Sequence, residues 1–300
     1  MAKTKKETQA KTIGQAPSFL RVMWKEIKAD KVALISLILM VLIVGFVFIA
    51  ALTIDQEQSK LVNFKLINKA PSREFILGTT AGGQSVYEQL ILGARNSFLI
   101  TLMITGLTGI VGIFMGLVAG YYGGRVDNII CRIIDFFLMI PYLMLIIVLV
   151  SLIPTYNVVT FVLIVSSLAW MGKARLVRAK TLQQSSLDYV SAAKTLGTPN
   201  WAIMLKQVLP NISSIIVVNL TLNLAANMAV EVSLTFLGFG LPFGTPSLGS
   251  LLTVAKVPEN ITNRYWQWLP AALLFIVMML LINFVGQAIN RAADAKQRVA

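Results

Sequence analysis

Apolar residues fall in long uninterrupted blocks along this chain, separated by short basic, polar or glycine-rich stretches. The first block, Val32 to Leu52, matches the length a helix needs to cross about 30 Å of hydrocarbon. It is longer than the apolar core of a signal peptide and lacks a small-residue exit, so it reads as a retained span. Five further blocks predict spans over 97–120, 129–153, 158–170, 212–230 and 269–289. The pattern is that of an all-α polytopic membrane protein with six transmembrane helices. Its organisation reads as a basic N-terminal segment 1–31, a first transmembrane helix 32–52, a polar segment 53–96, a five-helix core 97–290 and a tail 291–300.

Three blocks carry an internal pattern. In the second, Gly106, Gly109, Gly112, Gly116 and Gly120 recur at three or four residues and leave one face nearly bare backbone. Close helix packing is the plain reading, with a pathway lining the alternative. In the third, Arg132 and Asp135 stand three apart and are expected to pair with each other, and Pro141 lies inside the block. In the fifth, Asn219, Asn223, Asn227 and Glu231 follow at successive steps of four and stay on one side of a helix. Such residues act either as interhelical glue or as the lining of a possible translocation path.

The polar stretch 185–211 between the fourth and fifth spans predicts two short helices. Ser185 and Asp188 make a start resembling a capping box, and Gly197 suits a left-handed terminus. Thr198 and Pro199 restart the chain as N-cap and first helical residue, and Pro210 is expected to stop the second helix. Tyr189, Ala192, Ala193 and Leu196 fall on one face at helical spacing. That face has no partner within its own loop, which points to docking on something else.

Composition narrows the chemistry. The chain is 56% hydrophobic and 13% charged, with a net charge of +13. A basic balance in so apolar a chain reflects loop charge rather than nucleic-acid binding. Of the 26 Lys and Arg residues, 19 fall on the N-terminal segment, the second-to-third and fourth-to-fifth loops and the C-terminal tail. Both termini and the stretch 185–211 are therefore expected in the cytoplasm. Histidine is absent and Cys131 is the single cysteine, which excludes His-based catalysis, common zinc sites and disulfides within the chain. No cofactor or metal is expected. Gly78 to Ser85 matches a phosphate loop except that Gln84 stands where the lysine belongs, so the nucleotide reading fails.

Ser191-Ala192-Ala193, Gly197 and Leu209-Pro210 resemble the EAA loop of permease subunits in binding-protein-dependent ABC importers. Ser191 replaces the leading glutamate. LGTTAGGQSVYEQLILGAR (77–95), GLVAGYYGGRVD (116–127), RIIDFFLMIP (132–141), RLVRAKTL (175–182) and SLTFLGFGLPFGTPSLG (233–249) are similar to the oligopeptide/dipeptide branch, in particular its OppC/DppC-like permease. In the first of these, Thr80, Gln84 and Ser85 replace acidic and basic residues of the family's pattern. The resemblance implies a type I ABC importer (MetI-like) permease fold in a bacterial cell membrane. It implies a homologous second permease subunit, two ATP-binding subunits, an extracellular peptide-binding protein and surrounding membrane lipid, with no nucleic acid. ATPase coupling would fall to Tyr189, Ser191, Ala192, Ala193, Leu196, Gly197, Leu209 and Pro210. The chain itself would not be an enzyme. Nickel chelates, glutathione and cell-wall peptides are alternative cargoes within the same branch. An ion-coupled secondary transporter is the reading from another class.

Overall fold

The computed structural model describes residues 19–299; Lys3, Lys5, Lys6 and Lys11 of the basic N-terminal segment lie outside them. Helix α1 (Phe19–Ala29) leads to Asp30, whose carboxylate accepts from the amides of Val32 at 2.9 Å and Ala33 at 3.2 Å. This cap starts α2 (Lys31–Thr53), the first span. The same carboxylate meets Arg291 of the last helix, so one residue begins the first span and ties it to the sixth.

The remaining helices are α3 (Val86–Tyr122), α4 (Gly124–Leu138), α5 (Tyr142–Ser151), α6 (Val158–Ala169), α7 (Met171–Ser185), α8 (Asp188–Thr195), α9 (Asn200–Leu237), α10 (Leu248–Leu252), α11 (Pro258–Asn263) and α12 (Tyr265–Val299). Among the described residues, helices α2, α3, α9 and α12 are each long and apolar enough to cross a membrane, and counting each of the bent pairs α4–α5 and α6–α7 as one span gives six. The expected third span is thus broken by 83° and the fourth by 41°. Pro141 causes the sharper break, because it has no N–H to continue the helix and sits at ψ 117°. The second helix begins at Val86 rather than near Ser97, where the hydropathy rises, because Ser85 caps it and its first polar turns stay helical.

Two apolar clusters make most of the core. One joins α3 and the end of α9 to α4–α7, and the other joins α2, α3, α9, α10 and α12. Two smaller clusters, one around α8 and one between α1, α2, α9 and α12, complete it. Helix α9 belongs to all four. The glycine row explains how α3 meets α7. A Cβ on Gly112 would stand 2.7 Å from that of Lys173, and on Gly116 2.6 Å from that of Val177. On Gly120 it would stand 2.6 Å from the carbonyl oxygen of Arg178, and on Gly109 2.8 Å from Leu220 of α9. These four glycines pack helices; Gly106 has nothing within 4 Å.

The bend in the third span also redirects its charges. Arg132 is exposed, and Asp135 pairs with Arg175 of α7 instead of with Arg132. Asp127 receives a two-pronged bond from Arg178 on the same helix. The expected pairing within one helix fails because α4 lies alongside a strongly basic α7.

Helix termini alternate between two sides. The side holding Asp30 and Arg291 carries the stretch 185–209 and is termed the tail side. The opposite, loop side carries 54–85 and 238–264. There Gln267 at the start of α12 donates to the carbonyl of Thr79 at 2.7 Å and to Asn68 Oδ1 at 2.9 Å. Gln89 of α3 donates to the carbonyl of Ser59 at 2.7 Å. The segment that imitates a phosphate loop spends its amides on itself. The N–H of Gly82 and of Gln84 both donate to Thr80 Oγ1 at 3.2 Å, and that of Gly83 to the Thr80 carbonyl at 2.9 Å. Gly83 is required by close approach, since a Cβ there would lie 2.0 Å from the Asn63 carbonyl oxygen. Thr80 and Gln84 thus build the turn, and Ser85 caps α3.

Candidate functional site

Helix α7 ends at Ser185, whose hydroxyl donates to the carbonyl of Leu182 at 3.0 Å. Ser185 therefore belongs to the preceding helix and does not cap the next. The expected capping box is absent: α8 starts at Asp188 behind an extended Leu187 with no side-chain cap. Asp188 in the first turn still favours the helix through its charge. The other end of α8 forms as the sequence predicts. Gly197 sits at φ +77° and donates to the carbonyl of Lys194 at 3.0 Å, and Thr198 donates to that of Ala193 at 3.0 Å. These are the two bonds of a Schellman terminus.

The four residues expected on one outward face divide between two environments. Ala193 is buried, and with Val190 it packs on Tyr121, Val177, Ile203 and Met204 of the same chain. Tyr189 is half-buried and acts as a strut, its hydroxyl donating to Gln184 Oε1 at 2.9 Å and accepting from Asn211 Nδ2 at 3.2 Å. Ala192 and Ser191 are exposed, and Leu196 is 84% exposed. So α8 does have a packing partner, and what it leaves free is a narrower apolar strip. Trp201 (59% exposed) and Leu205, four residues apart on the next helix, are also exposed.

The helix expected to start at Pro199 starts one residue later. Pro199 is itself the N-cap of the helix that begins at Asn200. The larger correction concerns Pro210. It does not end that helix, because α9 runs unbroken from Asn200 to Leu237. A π turn over Met204–Val208 precedes the proline, and Leu209 N–H bonds back to the Met204 carbonyl. The wider turn accommodates a residue with no N–H to give. Leu209 is half-buried and Pro210 exposed. The tail-side surface and the fifth span are therefore one piece of helix.

Several residues of this joint carried no recognised signal. The Tyr121 hydroxyl donates to Asn200 Oδ1 at 2.9 Å, and Lys194 Nζ lies 4.8 Å over the Tyr121 ring. Tyr121 thus ties the end of α3 to both α8 and α9. Val190, three residues before Ala193, was detectable from helical spacing alone.

The polar stripe on α9 also divides. Asn219 and Asn223 are half-buried and linked along the helix, Asn223 Nδ2 donating to the Asn219 carbonyl at 2.7 Å and to Asn219 Oδ1 at 3.0 Å. Asn227 is buried and donates to Thr105 Oγ1 of α3 at 2.9 Å. Glu231 is fully buried and accepts from Thr235 Oγ1 at 3.0 Å. The loop after α9 folds back onto this end. Leu248 N–H donates to Ser97 Oγ at 3.1 Å, Asn96 Nδ2 to the Pro246 carbonyl at 2.9 Å, and the Tyr156 hydroxyl to that of Gly240 at 2.6 Å.

Comparison with known proteins agrees with this arrangement. Residues 112–299 match the family described as binding-protein-dependent transport system inner membrane component. Residues 18–71 match the N-terminal transmembrane domain of oligopeptide transport permease C. The chain is 40% identical over 281 residues to the oligopeptide transport system permease protein OppC of Lactococcus lactis subsp. lactis (strain IL1403), covering 93% of this chain and 96% of that one. It is 34% identical over 255 residues to the inner membrane ABC transporter permease protein YejE of Escherichia coli (strain K12), covering 85% and 74%. It is 30% identical over 284 residues to the dipeptide transport system permease protein DppC of Bacillus subtilis (strain 168), covering 94% and 87%. With six spans, a glycine-ended tail-side helix and matches over both its N-terminal helices and its core, the chain belongs to the inner membrane components of binding-protein-dependent transport systems.

Proposed function

We propose that this chain is one of two permease halves of an ATP-driven importer of oligopeptides or dipeptides, with its tail side in the cytoplasm. The observation that carries the reading is the set of exposed residues Ala192 and Leu196 on α8 and Trp201 and Leu205 on α9, the helix that continues without a break into the fifth span. Two separate ATP-binding subunits supply the energy, one of them docking on those residues. A homologous permease completes the path, and an external peptide-binding protein delivers cargo. This chain holds no cofactor and performs no chemistry of its own.

Leu196, Trp201 and Leu205 together leave large apolar side chains open on the tail side, the kind of exposure that marks a protein interaction site. Force applied there reaches α9 through Tyr189, which braces α8 against Asn211, and through the buried Val190 and Ala193. Because α9 has no flexible break, a shift of α8 becomes a rigid displacement of the fifth span. Asn219 and Asn223, the half-open members of the stripe, then face the path; Asn227 and Glu231 hold the helix to its neighbours.

The test uses the importer reconstituted in vesicles with its partner chains, following peptide uptake and ATP hydrolysis stimulated by loaded binding protein. Leu196→Asp and Gly197→Asp are expected to abolish uptake while insertion and assembly of the permease pair persist. The first places a charge in the docking strip, and the second strains a residue at φ +77°. Wild-type uptake in Leu196→Asp, or peptide movement by this chain alone along an ion gradient, would sink the reading.

A further inference from the structure

Helix α1 stands at the tail-side edge of the first span, and its two faces differ in chemistry. Met23 and Ile27 join an apolar cluster with Val285, Ala288 and Ile289 of α12, and Ile27 is buried there. Arg21, Trp24, Lys25 and Lys28 fall on the opposite side, within about 100° of arc, and all four are exposed. Glu26, the one acid of this helix, is half-buried outside that arc. Lys28 Nζ lies 5.1 Å over the Trp24 ring. Among the described residues, no carboxylate forms a salt bridge with Arg21, Lys25 or Lys28.

The depth of this face follows from its neighbours. Asp30 caps α2 and also meets Arg291 of α12, so the junction between α1 and the first span is held at both ends. The apolar run of α2 opens at Val32, and Val32, Ile35 and Ile38 are all exposed on it. Hydrocarbon therefore begins close to Val32. Lys28 and Lys25 precede it by four and seven residues, which at helical rise is roughly 10 Å or less. That is about one Debye length, inside the range where a charged leaflet is felt.

We propose that α1 is a docking face for anionic phospholipid headgroups of the tail-side leaflet. Arg21, Lys25 and Lys28 meet the phosphates, and Trp24 sits where headgroups give way to acyl chains. Two observations select lipid over an acidic protein surface. An exposed indole, apolar in its ring and polar at its N–H, suits the membrane boundary rather than water. The basic face also adjoins the open residues of α2, so the leaflet that covers Val32 and Ile35 reaches it without any further chain. Its buried opposite face keeps the helix from rolling, and the cations stay directed outward.

The experiment places the full chain, with its partner subunits, in phosphatidylcholine vesicles containing a minor fraction of phosphatidylglycerol. Bromine is carried on the acyl chains of one lipid at a time, and tryptophan emission is quenched where a brominated chain touches it. Brominated phosphatidylglycerol is expected to quench more than phosphatidylcholine brominated at the same mole fraction. Trp24→Phe should remove that excess. Lys25→Gln combined with Lys28→Gln should weaken the preference for the anionic lipid about fivefold per lysine at low salt. Lys65→Gln combined with Lys69→Gln, exposed lysines of the loop-side segment, should leave it intact. Equal quenching by the two lipids in the wild type overturns the proposal, as does an excess that survives Trp24→Phe or the double lysine variant. So does a photo-crosslinker at position 25 that labels another subunit instead of lipid, which would make this face a protein contact. Trp24→Phe is conservative and exposed, so it decides the question if the double variant fails to insert.

Discussion

Gly116→Ala isolates the contact on which the two halves of the core depend. Its new Cβ would stand 2.6 Å from the Val177 Cβ and 2.7 Å from the Ala174 carbonyl oxygen, where ordinary contact begins at 3.4 Å. The Ala174 oxygen is backbone and cannot rotate aside, so α3 and α7 must separate by roughly 1 Å along the seam. Overpacking of this kind costs about 1–3 kcal/mol. Alanine's better helix propensity returns up to about 1 kcal/mol, leaving a net loss on the order of 1–2 kcal/mol. Gly106→Ala is the matched control on the same helix, since nothing lies within 4 Å of a Cβ there. It receives the propensity gain without the clash and should be neutral or slightly stabilising. Thermal unfolding of the purified protein in one detergent compares the two directly. Gly116→Ala is expected to melt below wild type and Gly106→Ala at or above it. Equal melting temperatures for the pair would refute the account of the glycine row as packing.

Gln267→Leu keeps the size of the side chain but removes its bonds to Thr79 and Asn68. Losing them costs about 1–3 kcal/mol, so limited proteolysis should cut within 54–85 faster than in wild type, and an unchanged rate would count against the tether. Glu231→Gln preserves shape and an acceptor for Thr235, whereas Glu231→Ala leaves a hole in a fully buried site. The Thr235 hydroxyl keeps the Leu241 N–H and loses only its acceptor, so the alanine variant should lose about 1–3 kcal/mol and part of its folded yield on gel filtration, with the glutamine variant close to wild type. Comparable yields would show that the buried carboxylate is dispensable.

The spans were legible because long apolar blocks leave the backbone no alternative to helix inside hydrocarbon. Their directions were not. Pro141 announces a break, but its 83° angle depends on where α5 finds packing, which no window of hydropathy contains. Helix α7 was hidden altogether as a helix, because Met171–Ser185 is polar and basic, and this misplaced Ser185 as a cap. Gly197 was read correctly because its demand is local: a left-handed residue at a helix end needs no knowledge of the rest of the fold. Pro210 was misread for the opposite reason, since a π turn upstream changes what the proline disrupts. The four-residue spacing placed Asn219 to Glu231 on one side of α9. Which of them are buried is decided by Thr105 of α3 and by the returning loop, both distant in sequence.

That π turn has a consequence for how α9 is clocked. Each residue of an α-helix advances the azimuth by about 100°, and the wider turn between Met204 and Val208 holds one residue more than an α turn would. A turn closes the same angle in either geometry, so the extra residue is taken up as width rather than as rotation. Trp201 therefore keeps, relative to the span beyond Pro210, nearly the bearing that a plain α-helix one residue shorter would give it. Deleting a single residue within 204–208 would close the turn to ordinary α geometry and leave Trp201 facing nearly as it does now, whereas the same deletion in an α-helical stretch of the span would swing everything before it by about 100°. The stretch between Gly197 and Pro210 is in this sense buffered against the loss of one residue.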